Sequence, residues 1–129
     1  MERWSNPDVT DQVAAFMAPL PDFPGQPTRA IVDAVDYVAE RGPAAGRPIV
    51  GEIALEPDYR DLVPLFGKHL KEIRPLGTDV RIICTFGPDR TLVLLFAGSK
   101  EGEWGRWYHR AIPEAARLYR EYLSETGQR

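Results

Sequence analysis

The chain has 129 residues, 43% of them hydrophobic and 27% charged, with a net charge of −3, which fits one soluble globular domain spanning 1–129. An acidic balance counts against a strong, autonomous nucleic-acid binder, since proteins that grip phosphates are usually more basic. No apolar run is long enough to cross a bilayer and MERWSNPDVT lacks the layout of a signal peptide, so a cytoplasmic protein without membrane association is expected.

PDVTDQVAAFMA (7–18) reads as a short helix with Pro7 and Asp8 at its start and Val9, Val13, Phe16 and Met17 at helical spacing. A proline-rich connector follows. A second helix is expected from about Thr28, as N-cap, to Arg41, with Ile31, Ala34, Val35 and Val38 on one stripe. Gly42 and Pro43 end it. The two helices suggest an αα-hairpin. Residues 43–67 are turn-rich and the least informative stretch.

Three strands come next, LKEIRP (70–75), VRIICTF (80–86) and TLVLLFAG (91–98), separated by the turn signals LGTD and GPDR. Short links imply an antiparallel meander. Cys84 falls in an apolar strand and reads as a buried structural thiol; a single cysteine excludes an internal disulfide framework and a cysteine-cluster metal site. A final helix is expected from about Pro113, with Ala116, Leu118, Tyr119, Tyr122 and Leu123 on its apolar side. The fold class is therefore α+β: an N-terminal helical hairpin on a small antiparallel sheet, with a C-terminal helix.

Charge is unevenly spread. Residues 1–59 hold four basic and ten acidic side chains, whereas residues 60–110 hold nine basic and six acidic. A basic middle permits a local anion-binding surface. Symmetric turns would place Arg74 opposite Arg81, Phe86 opposite Thr91 and Arg81 opposite Phe96. One face then carries Ile73, Val80, Ile82, Cys84, Phe86, Val93, Leu95 and Ala97, an apolar core face under the helices. The other carries Glu72, Arg74, Arg81, Ile83, Leu92, Leu94, Phe96 and Lys100, and is expected to be uncovered on its cationic side. Two opposed arginines cost roughly a few tenths to 1 kcal/mol. Either Glu72 offsets that in an Arg–Glu–Arg cluster, or a phosphate sits between the guanidinium forks.

In order, GPAAGRPIV, LKEIRP, VRIICTFGPDRTLVLLFAGSK and WYHRAIPEAARLY resemble the RelE/ParE toxin superfamily, and most closely its HigB-like branch, over roughly residues 28–124. Relatives usually open with a strand ahead of the helices, of which MERWS offers at most a stub. The resemblance implies the toxin of a type II toxin–antitoxin pair. The implied activity is a metal-independent endoribonuclease, an mRNA interferase acting on the ribosome, without cofactor. The implied partners are a helix-turn-helix antitoxin, the ribosome and its mRNA. Two alternatives stay open: a ParE-like inhibitor of DNA gyrase, and an inactive homologue that only binds its antitoxin. The implied catalytic residues are Arg81, Arg74 and Lys100, and the substrate-binding candidates are Lys71, Tyr108, His109 and Trp104. Neither a glycine-rich nucleotide loop nor a histidine pair at metal-ligand spacing is present.

Overall fold

Thr10 decides where the first helix begins. The computed structural model describes residues 7–19, 27–87, 90–99 and 105–127. In it, Asp8–Val9 form a short strand, β1, and Thr10 is the N-cap of α1, Asp11–Met17. The Thr10 hydroxyl accepts from the Val13 amide and donates to the Leu95 carbonyl at 2.7 Å. The helix expected from residue 7 therefore starts later, because Asp8 and Val9 are extended and pair in parallel with Val93 and Leu94. Gln12 continues this ladder with its side chain, which donates to the Ala97 carbonyl at 2.8 Å and accepts from the Ala97 amide at 2.7 Å.

Helix α2 spans Pro27–Arg41 and buries Ile31, Ala34 and Val38, the expected stripe. Thr28 does not cap it; its hydroxyl is buried without a partner among the described residues. Gly42 takes φ +61°, a left-handed turn that suits glycine and ends the helix. The uninformative stretch folds into β2, Val50–Glu52, a helical turn over Arg60–Leu62 and α3, Val63–Phe66. Strands β3, Lys71–Ile73, β4, Val80–Phe86, and β5, Leu92–Ser99, form the expected antiparallel meander. The sheet has two more members, giving five strands in the order β1-β5-β4-β3-β2. It is mixed, because β1 joins in parallel.

The β4–β5 register differs from that of symmetric turns. Gly87 donates to the Thr91 carbonyl and Arg90 adopts φ +64°, so the loop closes one residue tighter than the four of GPDR. Phe86 pairs with Leu92, Thr85 with Val93 and Cys84 with Leu94. A one-residue slip moves every side chain to the other face. Leu92 and Leu94 consequently join the core beneath α1 and α2, and Val93 and Leu95 face the opposite side. A bulge then intervenes: Ile83 pairs with Phe96, leaving Leu95 as the extra residue. The bulge restores parity, so Ala97 lies on the expected core face and Arg81 pairs with Gly98 rather than Phe96.

Helix α4 runs Arg106–Glu125, well ahead of the expected start at Pro113, which sits exposed inside the helix. Its Trp107, Ala111, Ile112, Ala115, Ala116 and Tyr119 are buried with Leu55, Leu62, Phe66 and Leu70 against the second sheet face. That face, expected to be uncovered on its cationic side, is covered at its apolar centre. Gly98 makes the close approach possible: a Cβ there would lie 2.8 Å from the Trp107 indole nitrogen. Helices α1 and α2 fill one side of the sheet, α1 against β5 and α2 against β3, while α4 and the 55–70 segment fill the other.

Candidate functional site

Alternation along β3 separates its charges. Ile73 points into the core under α1 and α2, and Lys71 shares its parity. Glu72 and Arg74 point toward α4. One step past the Ile73–Ile82 pair, Arg74 comes opposite Arg81, as the symmetric LGTD turn predicts. The Arg74 guanidinium lies flat over Gly51 of β2, where a Cβ would meet its Nη2 at 2.7 Å.

Glu72 resolves the like-charge conflict. Its carboxylate is buried, with 3% of the side chain exposed. Oε1 accepts from Arg74 Nε at 2.7 Å and from the Tyr108 hydroxyl at 2.9 Å, and lies 3.8 Å from Arg81 Nε. Arg81 Nη1 donates to the Val80 carbonyl at 2.8 Å and, more loosely, to that of Thr78. Arg81 Nε is buried without a hydrogen bond among the described residues. One carboxylate between two guanidinium groups leaves the cluster with one net positive charge.

Beside this cluster lies a groove of about 340 Å³, lined by Arg74, Glu72, Tyr108, Tyr59 and His109. The Tyr59 hydroxyl and His109 Nδ1 are 2.8 Å apart. Burial pushes the Tyr108 phenol up to about 12, helped by the hydrogen bond and charge of Glu72 and opposed by Arg74 and Arg81. Burial, with the charge of Asp58, also raises Tyr59. Both phenols are therefore protonated at neutral pH, the Tyr108 proton being directed to Glu72.

Residues 19–120 match the family described as phage derived protein Gp49-like (DUF891). The chain belongs to the Gp49-like family. Two similar proteins come from Mycobacterium tuberculosis (strain ATCC 25618 / H37Rv). One, named "Putative toxin HigB3", is 35% identical over 99 residues, covering 76% of this chain and 79% of the relative. The other, named "Putative toxin HigB2", is 33% identical over 95 residues, covering 71% of this chain but only 43% of the relative. The HigB likeness carried by LKEIRP, the two long strands and WYHRAIPEAARLY is thus that of a Gp49-like protein.

In this Gp49-like chain, the structure brings Arg74, Arg81 and Tyr108 together around Glu72, with His109 on the same groove. Lys71 is elsewhere: the residue is buried and its amine donates to the Pro43 carbonyl at 3.1 Å. Lys100 and Trp104 lie outside the described residues. Tyr59 escaped sequence reasoning, because EPDYR carries no pattern beyond a turn. Gly51 and Gly98 escaped it too, since the need for a missing side chain shows only once Arg74 and Trp107 are placed. No helix among the described residues is long and apolar enough to cross a membrane.

Proposed function

We propose that this protein is the toxin of a type II toxin–antitoxin pair and that it cuts mRNA on the ribosome. The observation that carries this reading is the pair of guanidinium groups held on one side of adjacent strands by a single buried carboxylate, beside an open groove. In the reaction a 2′-oxygen attacks the neighbouring phosphorus and the bond to the 5′-oxygen breaks, leaving a 2′,3′-cyclic phosphate and a 5′-hydroxyl. Negative charge grows on the phosphate oxygens. Arg74 presents donors to that charge from the groove wall and Arg81 adds its positive charge from beside it, both held by Glu72. Lys100, two residues past Gly98 in sequence, is the third cation of the proposal. Tyr108 lines the groove wall with its proton directed to Glu72, and Trp104 is proposed to stack on an unpaired base. Lys71 takes no part, because its amine is engaged on the other sheet face.

The proposed partner is a helix-turn-helix antitoxin, whose basic DNA-binding character suits the acidic first half of this chain. The deciding experiment is controlled expression with mapping of mRNA 5′ ends. The expected result is growth arrest with cuts inside codons of translated messages, and a loss of cleavage of roughly 10²–10³-fold in Arg81→Ala. Arrest with intact mRNA and DNA damage would replace this reading with gyrase inhibition. The engagement of Arg74 by Glu72 and of Arg81 by backbone carbonyls favours a second reading, a homologue that binds its antitoxin without cutting RNA. Harmless expression of the wild-type chain decides for it.

A further inference from the structure

Tyr59 and His109 lie 50 positions apart in sequence and both line the groove. Tyr59 ends the turn before the Arg60–Leu62 helical turn, and His109 is in the first turn of α4. Neither residue is buried, so their 2.8 Å bond contributes little to folding. Its effect is on the imidazole. With Nδ1 engaged by the phenol, Nε2 is the ring nitrogen left for a molecule in the groove.

From this juxtaposition we propose that His109 is the proton-transfer group of the groove and that Tyr59 is the positioning residue that fixes its tautomer. The inference rests on the ribonuclease reading and deepens it. A phenol oxygen accepts as well as donates. When Nδ1–H donates to Tyr59, the neutral ring keeps a lone pair at Nε2, the form a base requires. His109 Nε2 then takes the 2′-hydroxyl proton as the 2′-oxygen bonds to phosphorus and the bond to the 5′-oxygen breaks. The departing 5′-oxygen takes a proton from water, and the imidazolium returns its proton to solvent. Arg74, on the same groove, would hold the phosphate while this happens. The elevated proton affinity of the Tyr59 phenol, caused by burial and Asp58, keeps it un-ionised throughout the range in which histidine titrates. Among the described residues, four charged groups share the groove with the imidazole: Glu52 from β2, Asp58 from the Tyr59 turn, Glu72 from β3 and Arg74 just after it. Tyr108 on α4 is the remaining titratable neighbour there.

The test is single-turnover cleavage of mRNA on programmed ribosomes across pH, using the full chain. Wild type, His109→Gln, Tyr59→Phe and Arg81→Ala are compared, alongside nitrogen NMR of the imidazole in wild type and Tyr59→Phe. His109→Gln is expected to lower the rate by roughly 10²–10⁴-fold and to abolish the acid limb of the profile. Tyr59→Phe is expected to lower the maximal rate several-fold at unchanged KM and to shift the neutral ring away from the Nδ1–H form. A wild-type ring that is Nε2–H overturns the proposal, as does a His109→Gln variant that keeps its acid limb. If Arg81→Ala abolishes cleavage and His109→Gln leaves it intact, this inference fails and the ribonuclease reading survives. If the wild-type chain cuts nothing, both fail together.

Discussion

Replacing Glu72 by glutamine removes one negative charge from the least solvated part of the Arg74–Arg81 cluster while keeping the side chain's shape. Two bonds change character, those from Arg74 Nε at 2.7 Å and Tyr108 at 2.9 Å. A hydrogen bond to a charged group contributes about 1.5–3 kcal/mol and a neutral one about 0.5–1.5 kcal/mol, so the demotion costs roughly 1 kcal/mol each. Arg81 also loses its nearest counter-charge, 3.8 Å away. Removing one partner of a fully buried ion pair costs about 3–5 kcal/mol. Here Arg74 is 32% exposed and water takes up part of the loss, so the expected destabilisation is about 2–3 kcal/mol. Urea unfolding measures it as a lower midpoint at constant slope. A second readout follows from the same geometry. Without an internal anion, the two guanidinium groups can share an external one, so inorganic phosphate should stabilise Glu72→Gln more than wild type. A loss below about 0.5 kcal/mol would refute the reasoning, as surface pairs commonly contribute no more than that. Equal phosphate responses would show that the arginines do not converge on one anion.

Gly98→Ala should destabilise by about 1–3 kcal/mol in the same unfolding assay, since its methyl would meet the rigid, buried Trp107 indole. Gly51→Ala should cost less stability but more phosphate affinity, because the clash is with the movable Arg74 guanidinium. Cys84 is fully buried and its thiol is pushed up to about 12, so a thiol reagent at pH 8 should label it only after denaturation. The Tyr108 phenol is raised in the folded state, so the folded chain holds its proton longer than the unfolded chain. Stability should therefore fall as pH rises from the ordinary tyrosine range near 10 toward 12, and fall less steeply in Tyr108→Phe.

The meander and the Arg74–Arg81 opposition were legible because LGTD punctuates two strands of clear alternation, and turn chemistry sets register. The slip in β5 was not legible. LVLLF is apolar on both faces, so it carries no alternation to say which residues face α2 and which face α4. The bulge at Leu95 is likewise silent in an unbroken apolar run. The early start of α4 was hidden by Pro113, which usually sits in a first turn and here lies inside the helix. The Glu72 cluster was foreseeable, since its three charges fall on one face of two neighbouring strands. The Tyr59–His109 contact joins a turn to a helix across the fold, and local sequence holds no trace of such a meeting.

Among the described residues, the outer border of β5 is closed by very little: a two-residue strand, the amide and hydroxyl of Thr10 and the side-chain amide of Gln12. Unpaired strand borders invite other chains to add themselves. Yet the stretch shared with the Gp49-like family begins only at residue 19, beyond all of these groups. A protein trimmed to that shared stretch would keep Glu72 and both arginines while stripping this seal, and helix α1 with its buried Val13, from the sheet. Self-association, rather than a change in chemistry, is the defect such a truncation should display first.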